Sequence, residues 1–317
     1  MTAALDIFRA LADATRLRIL ALLRSMELSV GELAQVLGQS QPRVSRHVKI
    51  LCDAGLAERR KEGSWVFVAL GASARVDPVI AALDGWSEGQ ADHWAVADSA
   101  RLAAVRADRA TSAADWFEAH ASDWDAIRSM HVAEDQVEAA IARVLGDQPL
   151  GRVIDIGTGT GRMLELFAPR ATRALGIDRS SEMLRLARAK LQTQANAELR
   201  QADLYALPMG NGDADLAILH HVLHFAQQPG AAIREAARVL GDGGRLLIAD
   251  FASHDREELR TRDAHTRLGF SDEQMLGWFD AAGLAPVQVE TLEGGELTVK
   301  LWLARKHGAA AKGVKAA

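Results

Sequence analysis

The chain has 317 residues, of which 49% are hydrophobic and 25% charged, a composition typical of a soluble globular protein with two domains. No apolar run approaches the roughly 18 residues that a membrane-spanning helix needs, and the first residues lack a secretion-signal pattern, so we expect a cytoplasmic protein without a membrane segment. Its single cysteine, Cys52, excludes an internal disulfide and a cysteine cage for zinc. The net charge of −5 divides unevenly, because residues 1–84 are slightly basic and the remainder is acidic.

Residues 1–84 carry the periodicity and capping signals of several short helices. Apolar residues recur at helical spacing over the first 23 positions. Ser29 with Glu32 predicts a capping box at the start of a third helix, and Gly38 marks its end. Ser40, followed by Pro42, marks the start of a fourth helix. A helix, a glycine-containing turn and a second helix form the outline of a helix-turn-helix.

The fourth helix and the segment after it have the charge pattern of a DNA-reading surface. Val44, Val48 and Leu51 form one apolar stripe, and the opposite face is basic. Residues 56–70 then predict a strand, a turn and a strand, with basic residues at the tip of the hairpin. A basic helix face suits the major groove, and a basic hairpin suits phosphates. The residues expected to contact DNA are Gln41, Arg43, Ser45, Arg46, Lys49, Arg59, Arg60 and Lys61.

Two segments of this region resemble the ArsR/SmtB-type winged-helix repressors: ADATRLRILALL and LSVGELAQVLGQSQPRVSRHVKILCDAGLAERRKEGSWVFVAL. The resemblance implies a homodimer on an inverted-repeat operator of double-stranded DNA, with dimer contacts from the first helix and from a helix after the wing. Metal-sensing members have paired cysteines where Ser29 and Gly31 stand, and no DxH pair follows the wing. We therefore expect no metal site, and we interpret His47 as a packed helix position.

The second half of the chain alternates strands and helices, which predicts a parallel sheet. The strand RVIDI runs into GTGTGR, where Gly157, Gly159 and Gly161 permit a tight turn and a close approach of the backbone to a ligand. Arg162 stands where the dinucleotide-binding pattern has its last glycine. Asp178 ends the second strand, where a carboxylate can accept both hydroxyls of a ribose.

The G-x-G-x-G loop and the segments after it resemble class I methyltransferases of the ubiquinone-biosynthesis type, which depend on S-adenosylmethionine (SAM). In chain order these segments are QADLYALPM, DADLAILHHVLHFAQQP, EAARVLGDGGRLLIADF and ETLEGGELTVKLWLARK. The resemblance covers residues 110–306 and implies a Rossmann-like sheet of seven strands that ends in an antiparallel hairpin. It implies that SAM or S-adenosylhomocysteine (SAH) is bound, with the methionine end held by the glycine loop, the ribose by Asp178 and the adenine amino group by Asp203. The cofactor-binding residues predicted in this way are Asp155, Gly157, Thr158, Gly159, Gly161, Asp178, Arg179, Met183, Asp203, Leu204 and His220.

The expected organisation is therefore an α/β chain with a mainly α-helical winged helix-turn-helix domain at residues 1–84. Residues 85–149 are expected to form a helical linker and a lid, since ADWFEAHASDWDAIRSMHV resembles the lid helices of small-molecule methyltransferases. Residues 150–306 are expected to form the SAM-binding domain, and residues 307–317 a disordered tail.

Three histidines, His220, His221 and His224, follow the fourth strand of the predicted sheet and are the candidate catalytic residues. A histidine there can act as a general base, but the alternative is that one packs on the cofactor and the others lie at the surface. The C-terminal domain has no cysteine, which excludes arsenite as the acceptor. LHHVLHF replaces the Asn/Asp-Pro-Pro-Tyr/Phe loop of amine methyltransferases, which favours a small-molecule acceptor.

Two functions remain open from the sequence. In the first, the chain is a transcription regulator whose methyltransferase-like domain senses SAM or SAH. In the second, it is an active methyltransferase whose winged helix regulates its own operon or positions the enzyme. The lack of a metal site favours the first, because the repressor otherwise has no inducer.

Overall fold

The computed structural model describes residues 2–62, 65–87, 94–105, 107 and 133–308. The chain divides into two compact units, Met1–Ser112 and Ala113–Ala317. The expected lid segment falls mostly on residues 110–132, which lie outside the described residues, as does most of the expected tail. None of the helices in the described ranges has the length and apolar character that crossing a membrane requires.

The N-terminal unit is mainly helical and carries a small antiparallel sheet with the strand order β1-β3-β2. Its helices are α1 (Thr2–Leu11), α2 (Ala14–Leu23), α3 (Val30–Leu37), α4 (Gln41–Asp53), α5 (Ser73–Ser87) and α6 (residues 94–105). Its strands are β1 (Leu28–Ser29), β2 (Ala57–Glu62) and β3 (Trp65–Leu70). This order of elements is a winged helix-turn-helix, as the sequence predicts.

The predicted helix boundaries of this unit are confirmed where local hydrogen bonds set them. The amide of Glu32 donates to Ser29 Oγ at 3.2 Å and the amide of Ser29 donates to Glu32 Oε2 at 2.7 Å, which completes the capping box of α3. Gly38 ends α3 in the left-handed conformation at φ 65°. Ser40 does precede α4, but its side chain makes no capping hydrogen bond. Pro42 explains this in part, since proline removes one of the amides that a capping oxygen normally accepts from.

The C-terminal unit is a seven-stranded sheet in the order β6-β5-β4-β7-β8-β10-β9, covered by helices on both faces. Its strands are β4 (Gly151–Ile156), β5 (Ala171–Asp178), β6 (Ala197–Gln201), β7 (Ala214–His220), β8 (Leu240–Phe251), β9 (Leu284–Leu292) and β10 (Val299–Lys306). Its helices are α7 (Glu134–Leu145), α8 (Arg162–Phe167), α9 (Ser181–Lys190), α10 (Pro229–Val239), α11 (Glu258–Arg262) and α12 (Asp272–Ala281).

The direction of the strands confirms the predicted fold class. Strands β4 to β8 pair in parallel, whereas β10 runs antiparallel to both β8 and β9. Successive residues of β4 pack on opposite faces, with Val153 in one core and Ile154 in the other. Because β4, β5, β7 and β8 all run the same way, their carboxyl ends share one edge, where α/β proteins bind ligands.

In the segment that the sequence assigns to a linker, the described residues include two helices with separate packing partners. Leu102 and Val105 of α6 are buried in the core of the N-terminal unit. Val137 and Ile141 of α7 are buried in one core of the C-terminal sheet. The proposed domain boundaries at residues 84 and 149 therefore stay predictions, and each unit includes a helix beyond them.

Candidate functional site

The glycine loop after β4 has a backbone that only glycine adopts easily. Gly157, Gly159 and Gly161 have φ values of 74°, 54° and 84°. A Cβ atom on Gly157 would stand 2.3 Å from Cγ2 of Val222, so a side chain there has no room. This contact also places the glycine loop directly beside the loop after β7. The loop of Gly157 to Gly161, which we call the glycine cradle, and the segment that holds His220, His221 and His224 are therefore neighbours.

Asp178 is tied to the glycine loop by hydrogen bonds. Its Oδ2 accepts from the amide of Gly159 at 2.8 Å and its Oδ1 accepts from the amide of Ser180 at 2.8 Å. Burial raises the pKa of Asp178, and the hydrogen bonds from Ser180 and Gly159 oppose that rise. The carboxylate and the cradle are thus held together, as a nucleoside site at this edge requires.

The other predicted cofactor residues lie along the same edge of the sheet. Asp155, at the end of β4, is buried and accepts a hydrogen bond from Thr158 Oγ1 at 2.5 Å. The amide of Ala202 donates to the carbonyl of Asp178 at 3.0 Å, which places the exposed Asp203 beside the end of β5. Of the rest, Arg179 is exposed, Met183 is buried on α9, and Leu204 is half-buried after β6.

The three predicted histidines lie together, and all of them are buried. The ring centroids of His220 and His221 are 4.7 Å apart, and those of His221 and His224 are 6.2 Å apart. Their exposed fractions are 7%, 5% and 1%, so the alternative that places two of them at the surface is wrong. His220 Nε2 also lies 3.5 Å from Oε1 of Glu134, at the start of α7.

Sequence reasoning missed the carboxylate that organises this cluster. Asp250, near the end of β8, has no exposed surface, and its Oδ1 lies 2.8 Å from His224 Nδ1. The backbone amides of Leu223 and Phe251 donate to it at 2.9 and 2.8 Å. Burial raises the pKa of Asp250 to about 6, while the charge of His221 and these amides oppose the rise.

Two more histidines that the sequence did not single out complete the cluster. The ring of His265 lies 4.4 Å from that of His224, and the ring of His254 lies 6.5 Å from that of His265. The amides of Thr266 and Arg267 donate to the carbonyl of His224 at 3.0 and 2.9 Å, which fixes this segment against the loop after β7. Sequence spacing gives no sign of His265, because it comes from a loop 41 positions further along the chain than His224.

In the N-terminal unit, α4 has the two faces that the sequence predicts. Val44, Val48 and Leu51 are fully buried. Gln41, Arg43, Arg46 and Lys49 are exposed and Ser45 is half-buried. An open groove of about 610 Å³ runs beside the start of α4, between it and the start of α3, and it is lined by residues that include Gln41 and Ser45. Lys49 is the one member of the basic face whose charge the described residues show paired, with Asp53 at 2.7 Å.

The basic residues of the wing lie along β2, so the prediction that they occupy its tip is wrong. Arg59, Arg60 and Lys61 pair in register with Val68, Phe67 and Val66 of β3. Strand residues alternate between faces, so Arg60 points away from its two exposed neighbours. Its guanidinium contacts the carboxylates of Glu27, at 2.6 Å, and Glu58. Arg59 instead donates to the carbonyl of Ser45 at 3.0 Å, next to the exposed face of α4.

His47 packs within this unit, and Ser29, which stands where metal-sensing relatives have a cysteine, caps a helix. His47 Nδ1 lies 3.6 Å from Oδ1 of Asp13, and burial lowers the pKa of His47, an effect that Asp13 opposes. Ser29 serves as the N-cap of α3.

Comparison with known proteins assigns each unit to a family. Residues 13–59 match the family described as bacterial regulatory proteins of the arsR family, and residues 154–248 match the methyltransferase domain family. The arsenical resistance operon repressor of Escherichia coli is 46% identical over 67 residues, which is 21% of this chain and 57% of that protein. The malonyl-[acyl-carrier protein] O-methyltransferase of Herminiimonas arsenicoxydans is 34% identical over 182 residues, 55% of this chain and 66% of that protein.

A solved structure gives the same fold for the second unit. The N-methyltransferase NodS of Bradyrhizobium japonicum, solved in complex with SAH, covers 61% of this chain and 98% of its own at 19% identity with a TM-score of 0.52. The curated relatives are matched over only 38% to 66% of their own length. The chain therefore joins an ArsR-family DNA-binding domain to a methyltransferase-family domain built on a class I methyltransferase sheet.

Proposed function

We propose that the protein is a transcription regulator whose methyltransferase-fold domain binds SAM or SAH as a signal. The observation that carries the proposal is the hydrogen bond from the Gly159 amide to Asp178, because it joins the glycine cradle and the ribose-binding carboxylate into one preorganised site. This site stands in the same chain as an exposed recognition helix. A role on DNA requires the cytoplasm as the location.

The cofactor lies along the carboxyl edge of the sheet. Gly157 to Gly161 approach the methionine end, with Thr158 held by Asp155 at 2.5 Å. Asp178 accepts the ribose hydroxyls, and the exposed Asp203 lies beyond it at the end of β6 to accept from the adenine amino group. The positive φ values of the loop support these roles, since they let backbone atoms come close to the ligand.

DNA is read by the exposed face of α4 and by β2 of the wing. Gln41, Arg43 and Arg46 lie on the first turns of α4, where a recognition helix meets base edges. Lys61 and Arg59 contact phosphates from the exposed face of β2. Arg60 is left out of this interface, because Glu27 and Glu58 already neutralise it.

The DNA-binding form is a homodimer on an inverted repeat. Leu5 and Phe8 of α1 are 49% and 61% exposed, and Trp86 near the end of α5 is 68% exposed. Large apolar side chains on the first helix and on the helix after the wing mark an interaction surface. Two-fold symmetry of the protein would then match two half-sites in the duplex.

Regulation follows if the ligand binds the DNA-competent and DNA-incompetent states with different affinities. The test is calorimetry of the full chain with SAM and with SAH, followed by fluorescence anisotropy on a duplex selected by the protein from a random library. We expect binding of at least one ligand and a 5- to 150-fold change, in order of magnitude, in affinity for the duplex. Because coupling is reciprocal, the saturating duplex must change the ligand affinity by the same factor. Failure of both ligands to bind refutes the proposal.

The second candidate is methyl transfer to a small molecule, and the buried polar cluster beside the glycine loop favours it. That cluster lies where an acceptor must sit, close to the cradle through Val222. Methyl transfer needs the acceptor in line with the activated methyl group. Ligand binding without any change in affinity for DNA would favour this function over the first.

A further inference from the structure

We propose that His221, His224 and Asp250 form a binding site for one divalent first-row transition metal ion in the C-terminal unit. One ligand atom from each side chain lies within 4.8 Å of the other two, and all three residues are buried. Within the ranges that the structure describes, no other set of three or more histidine, cysteine, aspartate or glutamate side chains comes as close. Two imidazoles and one carboxylate are a ligand set that zinc and non-haem iron use when one coordination position stays open.

The dimensions of the cluster suit an ion after a modest side-chain movement. Zinc lies about 2.0–2.1 Å from a nitrogen ligand, so two ligand atoms of a tetrahedral site are about 3.4 Å apart. The three ligand atoms lie within 4.8 Å of one another, so the widest pair must approach by roughly 1.4 Å at most. Rotation of the imidazoles about χ1 and χ2 brings their nitrogen atoms together while the backbone stays in place.

The backbone already holds two of the ligands in place. His221 adopts a left-handed conformation with φ 51°, and its amide donates to the carbonyl of Ala249 at 2.8 Å. Such a conformation is costly for a residue other than glycine and occurs mostly at functional sites. The amides of Leu223 and Phe251 fix the carboxylate of Asp250. The carboxylate of Asp250 and the backbone of His221 are therefore fixed before any ion arrives, and the imidazole is the part that moves.

His224 Nδ1 and Asp250 Oδ1 lie 2.8 Å apart and are hydrogen-bonded. A metal ion binds the neutral imidazole and the ionised carboxylate, so the ion would take the place of the proton between these two atoms. The dication then balances the charge of a carboxylate that is cut off from water, which is otherwise expensive to bury.

A third imidazole, that of His265, lies beside the site. Its ring stacks on Phe251 at 19°, with centroids 5.5 Å apart, and lies 4.4 Å from the ring of His224. The residue thus packs against the ligand set beside His224 without belonging to it. Metal sensing by cysteines in the winged helix is a separate matter, because these ligands come from the C-terminal unit and meet only after the sheet folds. The inference does not rest on SAM binding.

The test uses the full chain stripped of metal with a chelator and titrated with Zn²⁺ by calorimetry and with Co²⁺ by visible absorption. His221→Asn removes the imidazole while keeping a residue that tolerates positive φ, and Asp250→Asn keeps the shape of the carboxylate. The matched control is His307→Asn, since His307 is exposed and outside the cluster. Circular dichroism and thermal unfolding of the metal-free proteins identify any variant that fails to fold.

We expect one ion per chain and a loss of affinity of about 100-fold or more in the two cluster variants, because altering a residue that only orients a ligand already costs 10- to 100-fold. The control should bind as the wild type does. Lack of saturable binding of Zn²⁺ and Co²⁺ by the wild type would overturn the inference. Equal affinity in a folded His221→Asn variant would also overturn it, since the ion would then be bound elsewhere.

Discussion

Two ion pairs, one from α2 and one from Arg24 at its C-terminal end, provide a matched test of how burial changes the contribution of an ion pair to stability. Arg18 binds Asp98 of α6 through two hydrogen bonds of 2.7 Å, and the side chains are 9% and 8% exposed. Arg24 binds Asp84 of α5 through two hydrogen bonds of 2.7 and 3.0 Å, and those side chains are 44% and 54% exposed. Asp98→Ala and Asp84→Ala therefore remove the same group from the same kind of pair at different depths.

Asp98→Ala should destabilise the N-terminal unit by about 3 kcal/mol, at the low end of the 3–5 kcal/mol found when a buried pair loses one partner. The low end applies because Arg18 keeps a hydrogen bond to the carbonyl of Leu37 at 3.3 Å and lies 4.5 Å from the centroid of the Trp94 ring. Asp84→Ala should cost at most about 1 kcal/mol, since exposed pairs are worth little.

Hydrogen exchange measured by mass spectrometry reports each unit separately, which a single melting curve of a two-unit chain does not. A loss of 3 kcal/mol predicts that the slowest amides of α2 and α3 exchange about 100-fold faster in Asp98→Ala. Replacing the pair by Arg18→Met with Asp98→Leu should recover most of the loss, because the cost is that of an unpaired buried charge. Equal effects of Asp98→Ala and Asp84→Ala would refute the reasoning.

Three further predictions concern the proposed interfaces. Arg46→Ala should weaken binding to the selected duplex by about 1–3 kcal/mol without changing the affinity for SAH. Arg60→Ala removes an equal charge that two carboxylates already bind, so it should leave the DNA affinity near the wild-type value. Fluorescence anisotropy on the duplex measures both variants. Gly157→Ala should abolish SAH binding in calorimetry and leave DNA binding intact, because the new Cβ would overlap Val222. SAH affinity should fall as the pH is lowered, because only the ionised form of Asp178 accepts both ribose hydroxyls. The fall should begin at a higher pH than for an ordinary aspartate, because burial raises the pKa of Asp178. In Asp178→Asn this pH dependence should disappear.

The features that the sequence predicts correctly are those set within a few residues. The capping box of Ser29 and Glu32 and the buried stripe of Val44 and Val48 depend only on helical spacing. The glycine loop is equally local, because a strand that ends in alternating glycines dictates its own turn. The fold class followed from the order of such local signals along the chain.

The errors concern features that strand pairing or distant segments decide. Adjacency in the sequence groups Arg60 with Arg59 and Lys61, but β2 continues through all three and turns Arg60 to the other face. Asp98 and His265 gave no sequence signal, since their partners lie 80 and 41 positions earlier in the chain. Asp250 is visible in the sequence as the one acid of the otherwise apolar strand segment LLIADF. An acid at the carboxyl end of a parallel strand should be counted as a candidate site residue.

The placement of the two proposed ligands in the C-terminal unit follows from one property of the sheet. Strands β4 and β5 deliver the glycine loop and Asp178 to its carboxyl edge, and β7 and β8 deliver the histidines and Asp250 to the same edge. Val222 stands between two of those histidines in the sequence, and it lies so close to Gly157 that an added Cβ atom would be 2.3 Å from its Cγ2. The loop after β7 and the glycine loop are therefore direct neighbours. Ordering a site before its ligand arrives reduces the entropy lost on binding. If a bound ion orders both loops, we expect it to raise the affinity for SAH, and equal SAH affinity in the metal-free and metal-loaded chain would contradict that expectation.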